Sequence, residues 1–155
     1  MNLGIKGEAL IKSYEQLRLR AYAATADERK RGIWTIGWGR TKGVKEGDVC
    51  TPEQAQAWFE EDVADAVKCV NDHVQITLSQ PEFDALISFR FNVGEGRIDP
   101  HIDGFITSSL LRHLNNHEIA EAANEFPKWN KQHGVVLDGL TKRRAAERAL
   151  FLGEA

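Results

Sequence analysis

The sequence predicts an α+β fold in which a small β-containing N-terminal lobe is joined by a long helix to a mostly helical C-terminal lobe. Two observations lead to this prediction. Residues 16–50 combine β-prone runs with closely spaced glycines, whereas the rest of the chain carries helix-capping signals and apolar residues at helical spacing. We therefore expect one domain over residues 1–155, with 16–50 as the β-containing lobe and 1–15 and 51–155 as the helical part.

The N-terminal lobe is predicted to follow one short helix. Residues 3–14 form that helix, with Ile11 among its inward positions. The runs 17–22 and 33–38 are the candidate strands, and the turn-rich run 41–48 completes the lobe. Glycines punctuate these runs in the manner of a small twisted hairpin or meander, at positions 32, 37, 39, 43 and 47.

From Thr51 onward the sequence indicates capped helices. Thr51-Pro52-Glu53-Gln54 has the cap residue, the early proline and the glutamine of a capping box, and Ser79-Gln80-Pro81-Glu82 is a second such box. Apolar residues follow each box at helical spacing, and Gly94 and Gly96 are suitable stops for the second helix. Shorter or later helices are predicted at 108–114, 117–126 and 140–152.

Composition and charge exclude several classes of protein. The chain has 155 residues, a formal net charge of -3 and a pI near 6.0, whereas a general nucleic-acid binder is usually strongly basic. No apolar run approaches the length of a membrane span, and the N-terminus lacks the apolar core of a secretory signal. Cys50 and Cys69 are too far apart along a predicted helix for a disulfide, so we expect two free thiols, as in a reducing compartment.

The most informative feature is the order of residues that begins at Glu15. Two runs resemble the active-site signature of the phage-type lysozymes, glycoside hydrolase family 24: Glu15-Gln16-Leu17-Arg18-Leu19-Arg20-Ala21-Tyr22 and Trp34-Thr35-Ile36-Gly37-Trp38-Gly39-Arg40-Thr41. The resemblance continues in order along nearly the whole chain, through the segments 43–45, 83–86, 91–94, 108–111, 139–140 and 143–147. Each motif alone is weak evidence, but the ordered set is specific.

This resemblance implies an endolysin-type muramidase, which hydrolyses the β-1,4 bond between N-acetylmuramic acid and N-acetylglucosamine in bacterial peptidoglycan. Glu15 matches the family's general acid, and Thr35 matches the threonine that helps to hold the attacking water on the opposite side of the sugar. Acetal cleavage needs this arrangement, with a proton donor on one face and a positioned water or nucleophile on the other. Desolvation at the edge of a cleft favours the protonated form of a carboxyl group, which a general acid requires.

The resemblance also implies a biological setting. We expect host-cell lysis by a phage or prophage, with peptidoglycan glycan strands as the substrate and a monomer as the active form. No cofactor, no metal, no nucleic-acid partner and no membrane anchor are expected. Because the chain shows no secretory signal, the expected location is the host cytoplasm until a separate holin-type pore releases the protein to the cell wall.

One position departs from the family pattern. The family carries an aspartate, or sometimes a cysteine, at the position that corresponds to Ala24, and the loop at 26–33 that follows is longer than usual. Three interpretations are open. The missing carboxylate impairs the enzyme, or Asp27 takes over its role, or Glu15, Thr35 and a water held by other groups suffice.

Two other classes of function are compatible with the same motifs. A non-catalytic wall-binding protein would retain peptidoglycan without cleaving it. A lytic transglycosylase would use one acid and no water nucleophile, and would leave anhydro-muramic ends. Thr35 favours hydrolysis over transglycosylation, and inversion at the anomeric carbon, the usual course in the family, is the default expectation.

Overall fold

The structure, a computed structural model, describes all 155 residues and contains seven α-helices and four short β-strands. The α+β prediction is confirmed. The chain divides into two compact units, one comprising Met1–Ile11 and Asp65–Ala155 and the other Lys12–Ala64. The assignment of a single domain stays a prediction. None of the helices combines the length and the apolar character needed to cross a bilayer.

The unit Lys12–Ala64 is built on an antiparallel pair of strands. Strand β1 (Arg18–Tyr22) pairs with β2 (Thr35–Gly37), and the register between them is irregular, as in a β-bulge. Both strands lie within the predicted runs. The chain after β2 returns to β1, where Cys50 N–H donates a hydrogen bond of 2.9 Å to the carbonyl of Leu19. A small core from a strand, a loop and a helix supports this arrangement: Ile36, Cys50 and Ala55.

A short helix occurs where the sequence analysis expected a loop. Helix α2 (Ala26–Arg31) follows the N-cap Thr25, whose Oγ1 accepts a hydrogen bond of 3.1 Å from Glu28 N–H. The helix ends at Gly32, which has a φ of 70°. The prediction of a loop over 26–33 is therefore wrong, because threonine followed three residues later by glutamate is itself a helix-start signal.

The first helix lies close to its predicted range, and the third begins at its predicted cap. Helix α1 spans Ile5–Glu15 and helix α3 spans Pro52–His73. The capping box at the start of α3 is confirmed, because Thr51 N–H donates to Gln54 Oε1 at 2.9 Å and Gln54 N–H donates to Thr51 Oγ1 at 3.1 Å. Each of these two helices contributes residues to both compact units.

The second unit is mostly helical. Its further helices are α4 (Gln80–Val93), α5 (Ser109–Asn115), α6 (Ile119–Glu125) and α7 (Asp138–Phe151). The Ser79 capping box and the stop at Gly94 are confirmed. A two-stranded hairpin that the sequence did not predict, β3 (Lys131–Gln132) with β4 (Val135–Val136), precedes α7.

The helical core contains both aromatic rings and a buried ion pair. Phe89 packs edge-on against Phe126, with 5.4 Å between the ring centroids. Glu147 is fully buried, with Oε1 2.9 Å from Arg144 Nε and Oε2 accepting a hydrogen bond of 2.6 Å from Ser88 Oγ. Because a buried carboxylate requires such partners, the matched motif at 143–147 has a structural function in this core.

Candidate active site

Glu15 is the last residue of α1, and its carboxyl group rests against the backbone of Gly39. The helix ends there because Gln16 adopts a left-handed conformation, with a φ of 52°. Gly39 has a φ of 90°, and a Cβ added to it would lie 2.8 Å from Glu15 Cδ. Position 39 therefore requires glycine for two reasons, its backbone conformation and the space that the Glu15 carboxyl group occupies.

A tight turn after β2 holds Gly39 in place. Ile36 and Arg40 exchange two backbone hydrogen bonds, of 2.9 Å and 2.8 Å, which close the turn around the three residues between them. The Arg40 guanidinium is anchored in turn, since its Nη1 lies 2.9 Å from Asp62 Oδ1 on α3. The turn that supports the Glu15 carboxyl group is thus held by its own backbone hydrogen bonds and by the ion pair from Arg40 to α3.

Thr35 and Glu15 share Tyr22 as a neighbour. Thr35 is the first residue of β2, is half-buried, and pairs with Tyr22 across the strands. Burial raises the pKa of Tyr22, the negative charge of Glu15 raises it further, and the Arg18 guanidinium opposes both effects. Arg18 lies over the Tyr22 ring, 5.1 Å from its centroid. Tyr22 therefore has both the expected water-holding threonine, its strand partner, and the expected acid, whose charge acts on it, in its surroundings.

Ala24 follows β1 and is exposed. It lines a cavity of about 310 Å³ together with its neighbours Ala23, Thr25 and Ala26 and the side chain of Arg29. The methyl group of Ala24 offers no acid–base chemistry, but its backbone N–H donates a hydrogen bond of 3.0 Å to Glu28 Oε2.

The two acidic residues of α2 differ in their surroundings. Asp27, the residue considered above as a substitute for the missing aspartate, pairs with Arg31 on its own helix, with 2.9 Å between Oδ2 and Nε. Glu28 is instead buried, and its carboxylate accepts the hydrogen bond from Ala24 N–H. Sequence reasoning missed Glu28, although the spacing of Thr25 and Glu28 carried the signal of a capping box.

A comparison with known protein families shows which family this chain belongs to. Residues 12–147 match the phage lysozyme family. The chain belongs to that family. As a phage lysozyme it is a glycoside hydrolase of the muramidase type, with peptidoglycan as the family's substrate and peptidoglycan hydrolysis in phage lysis as its function.

Individual relatives support this assignment. The chain is 41% identical over 155 residues to the endolysin of Acyrthosiphon pisum secondary endosymbiont phage 1, and the match covers 97% of this chain and 98% of that protein. It is 43% identical over 152 residues to the endolysin of Bacillus phage PZA, covering 97% of this chain but 55% of that protein's length. Among solved structures, the muramidase domain of SpmX from Asticaccaulis excentricus superposes with a TM-score of 0.79 at 37% identity, covering 97% of each chain. The lysozyme fold of this phage lysozyme is thereby established.

Proposed function

We propose that this phage lysozyme hydrolyses the β-1,4 bond between N-acetylmuramic acid and N-acetylglucosamine, with Glu15 as the general acid. The observation that carries the proposal is the placement of the Glu15 carboxyl group on the backbone of Gly39. A proton donor must be held within reach of the leaving oxygen, and a backbone surface fixed by a closed turn restricts where this carboxyl group can move.

The proposed reaction divides between two faces of the sugar. Glu15 donates its proton to the glycosidic oxygen as the bond from that oxygen to the anomeric carbon breaks. A water molecule that Thr35 helps to hold attacks the anomeric carbon from the opposite face and loses its proton to solvent, which inverts the configuration of the carbon. The strand pairing of Thr35 with Tyr22, a residue on which the charge of Glu15 acts, supports this assignment of roles.

Product analysis tests this proposal directly. Digestion of purified peptidoglycan is expected to release fragments with reducing muramic acid ends, which mass spectrometry and a reducing-sugar assay detect. Anhydro-muramic ends would identify a lytic transglycosylase instead. Sedimentation of the protein with the wall, without any released fragments, would identify a non-catalytic binding protein.

We also propose that the chain works as a monomer and reaches the wall from the host cytoplasm through a separate holin-type pore. Membership in the phage lysozyme family, whose members act on the cell wall in phage lysis, motivates this route. Expression in a bacterial host without a pore-forming partner is expected to leave the culture density unchanged until a membrane-permeabilising agent is added. Lysis on expression of this chain alone would contradict the proposed route.

A further inference from the structure

Glu28 is the buried charged side chain of the unit Lys12–Ala64, with 6% of its surface exposed. Its Oε2 accepts a hydrogen bond of 3.0 Å from the backbone N–H of Ala24. The carboxylate therefore lies at the backbone of the position where the family pattern places an aspartate and this chain has none.

The helix cap of α2 differs from the capping boxes of α3 and α4. In the boxes that begin at Thr51 and Ser79, the side chain three residues later accepts a hydrogen bond of 2.9 Å from the cap residue's own N–H. In α2 the acceptor is Glu28, but the donor is Ala24, the residue before the cap. A helix cap alone does not require this longer reach, because the ordinary box already satisfies the helix start.

The hydrogen bond holds a carboxylate close to the backbone of position 24. From standard bond lengths, the carboxylate oxygens of an aspartate lie roughly 3–4 Å from its own backbone nitrogen. The Oε2 of Glu28, at 3.0 Å from the nitrogen of Ala24, falls within the same range. A side chain from α2 thus brings a carboxylate to the N–H side of the backbone at position 24, at a distance similar to that of an aspartate's own carboxylate.

The negative charge of Glu28 acts on Tyr22, on which the charge of the proposed proton donor Glu15 also acts. Burial is the largest cause of the raised pKa of Tyr22, and the charge of Glu15 is the next. The charge of Glu28 raises the pKa of Tyr22 as well. Two carboxylates therefore act on the hydroxyl group of Tyr22, and Tyr22 is the strand partner of Thr35.

We infer that Glu28 is a positioning residue for the hydrolytic site, and that its carboxylate supplies at position 24 the negative charge that the family's aspartate would provide. The inference rests on the proposed hydrolysis with Glu15 as the acid. A fixed negative charge stabilises the positive charge that develops on the sugar ring and orients the hydrogens of the attacking water. Because Glu28 is buried, it acts through its field and through the backbone of Ala24 and does not touch the sugar.

Glu28→Gln separates charge from helix capping. Glutamine keeps an oxygen that can accept the hydrogen bond from Ala24, and glutamine is itself accepted in capping boxes, so the helix start is preserved. Loss of the charge is expected to lower kcat for soluble glycan fragments by about tenfold, with KM changed by less than about twofold, because a field in the transition state acts on kcat. Thermal unfolding and near-ultraviolet circular dichroism check the fold.

The matched control is Glu82→Gln, which makes the same chemical change in the capping box of α4. It is expected to leave kcat and KM unchanged. Equal losses in both variants would show that capping, and not a charge at position 24, accounts for the effect of Glu28→Gln, and would overturn the inference. A loss of kcat in Asp27→Asn with none in Glu28→Gln would overturn it in favour of Asp27.

The decisive comparison places an aspartate at position 24 in two backgrounds, the unaltered chain and the Glu28→Gln variant. Ala24→Asp alone is expected to change kcat by less than about threefold, whereas Ala24→Asp in the Glu28→Gln background is expected to recover about tenfold, since either carboxylate then suffices. An equal, large gain in both backgrounds would mean that no carboxylate acts at position 24 and that Glu28 does not replace it.

If Glu28→Gln fails to fold, the response of the unaltered chain to Ala24→Asp decides alone. If the unaltered chain releases no fragments, the proposed hydrolysis fails first, and that outcome is distinct from all of these.

Discussion

Glu15→Gln is expected to lower the rate of peptidoglycan hydrolysis by roughly 10³-fold, within the range of 10²–10⁴ that general acid catalysis contributes. Glutamine has nearly the same shape as glutamate, so it occupies the space beside Gly39 without displacing the turn. It carries no acidic proton, and the leaving oxygen must then depart without protonation. Reducing-end release from purified peptidoglycan measures the rate, and thermal unfolding shows that the fold is retained.

Glu46→Gln serves as the control for this variant. Glu46 belongs to the same compact unit, is exposed, and loses the same negative charge on substitution. It is expected to retain the full rate of hydrolysis. A fully active Glu15→Gln variant would remove the central claim about the mechanism, and similar losses in both variants would point to the net charge of this unit instead of a proton donor.

Local signals in the sequence predicted much of the fold. Both predicted capping boxes exist because their hydrogen bonds join residues three positions apart and need no tertiary support. The β-prone runs around Leu19 and Ile36 became strands, and one residue of each, Ala21 and Ile36, packs in the same small core. Predictions from such features succeed when the stabilising contacts are close in sequence.

Helix α2 and the hairpin of β3 and β4, which the sequence did not predict, lack such local signals. Helix α2 has six residues, ADERKR, without the apolar periodicity that identifies a helix. Only the spacing of its cap residues indicated a helix. The hairpin of β3 and β4 has strands of two residues, too short to show alternation. Its turn residues, His133 and Gly134, both have positive φ, but histidine in place of asparagine hides the usual hairpin sequence.

The candidate site was predicted in part for a related reason. Resemblance to the family pointed to Glu15, Thr35 and Ala24 as candidate site positions, and their roles stay predictions. It could not show that the Glu15 carboxyl group rests on Gly39, because that contact joins residues brought together by the tertiary fold. It also could not show the hydrogen bond from Ala24 to Glu28, since the sequence analysis expected a loop and no helix there.

Gly39→Ala is expected to lower kcat by about 10²-fold, because a displacement of a catalytic group by about 1 Å can cost that much. The added methyl group would overlap the Glu15 carboxyl group, with 2.8 Å between the new Cβ and Glu15 Cδ, so the acid must move away from the turn. The positive φ at position 39 also costs about 1–3 kcal/mol of stability for an alanine. Steady-state kinetics and urea unfolding measure the two effects separately.

Gly47→Ala distinguishes displacement of the acid from backbone strain. Gly47 has a φ of 88°, almost equal to the 90° of Gly39, but a Cβ at position 47 meets no atom within 4 Å. The two variants are therefore expected to lose similar stability, while Gly47→Ala keeps its kcat. Equal losses of kcat would assign the effect to strain in the lobe, and an active Gly39→Ala variant would show that this contact does not position the proton donor. Separate behaviour of the two glycines would mean that the turn after β2 acts on catalysis through the placement of Glu15.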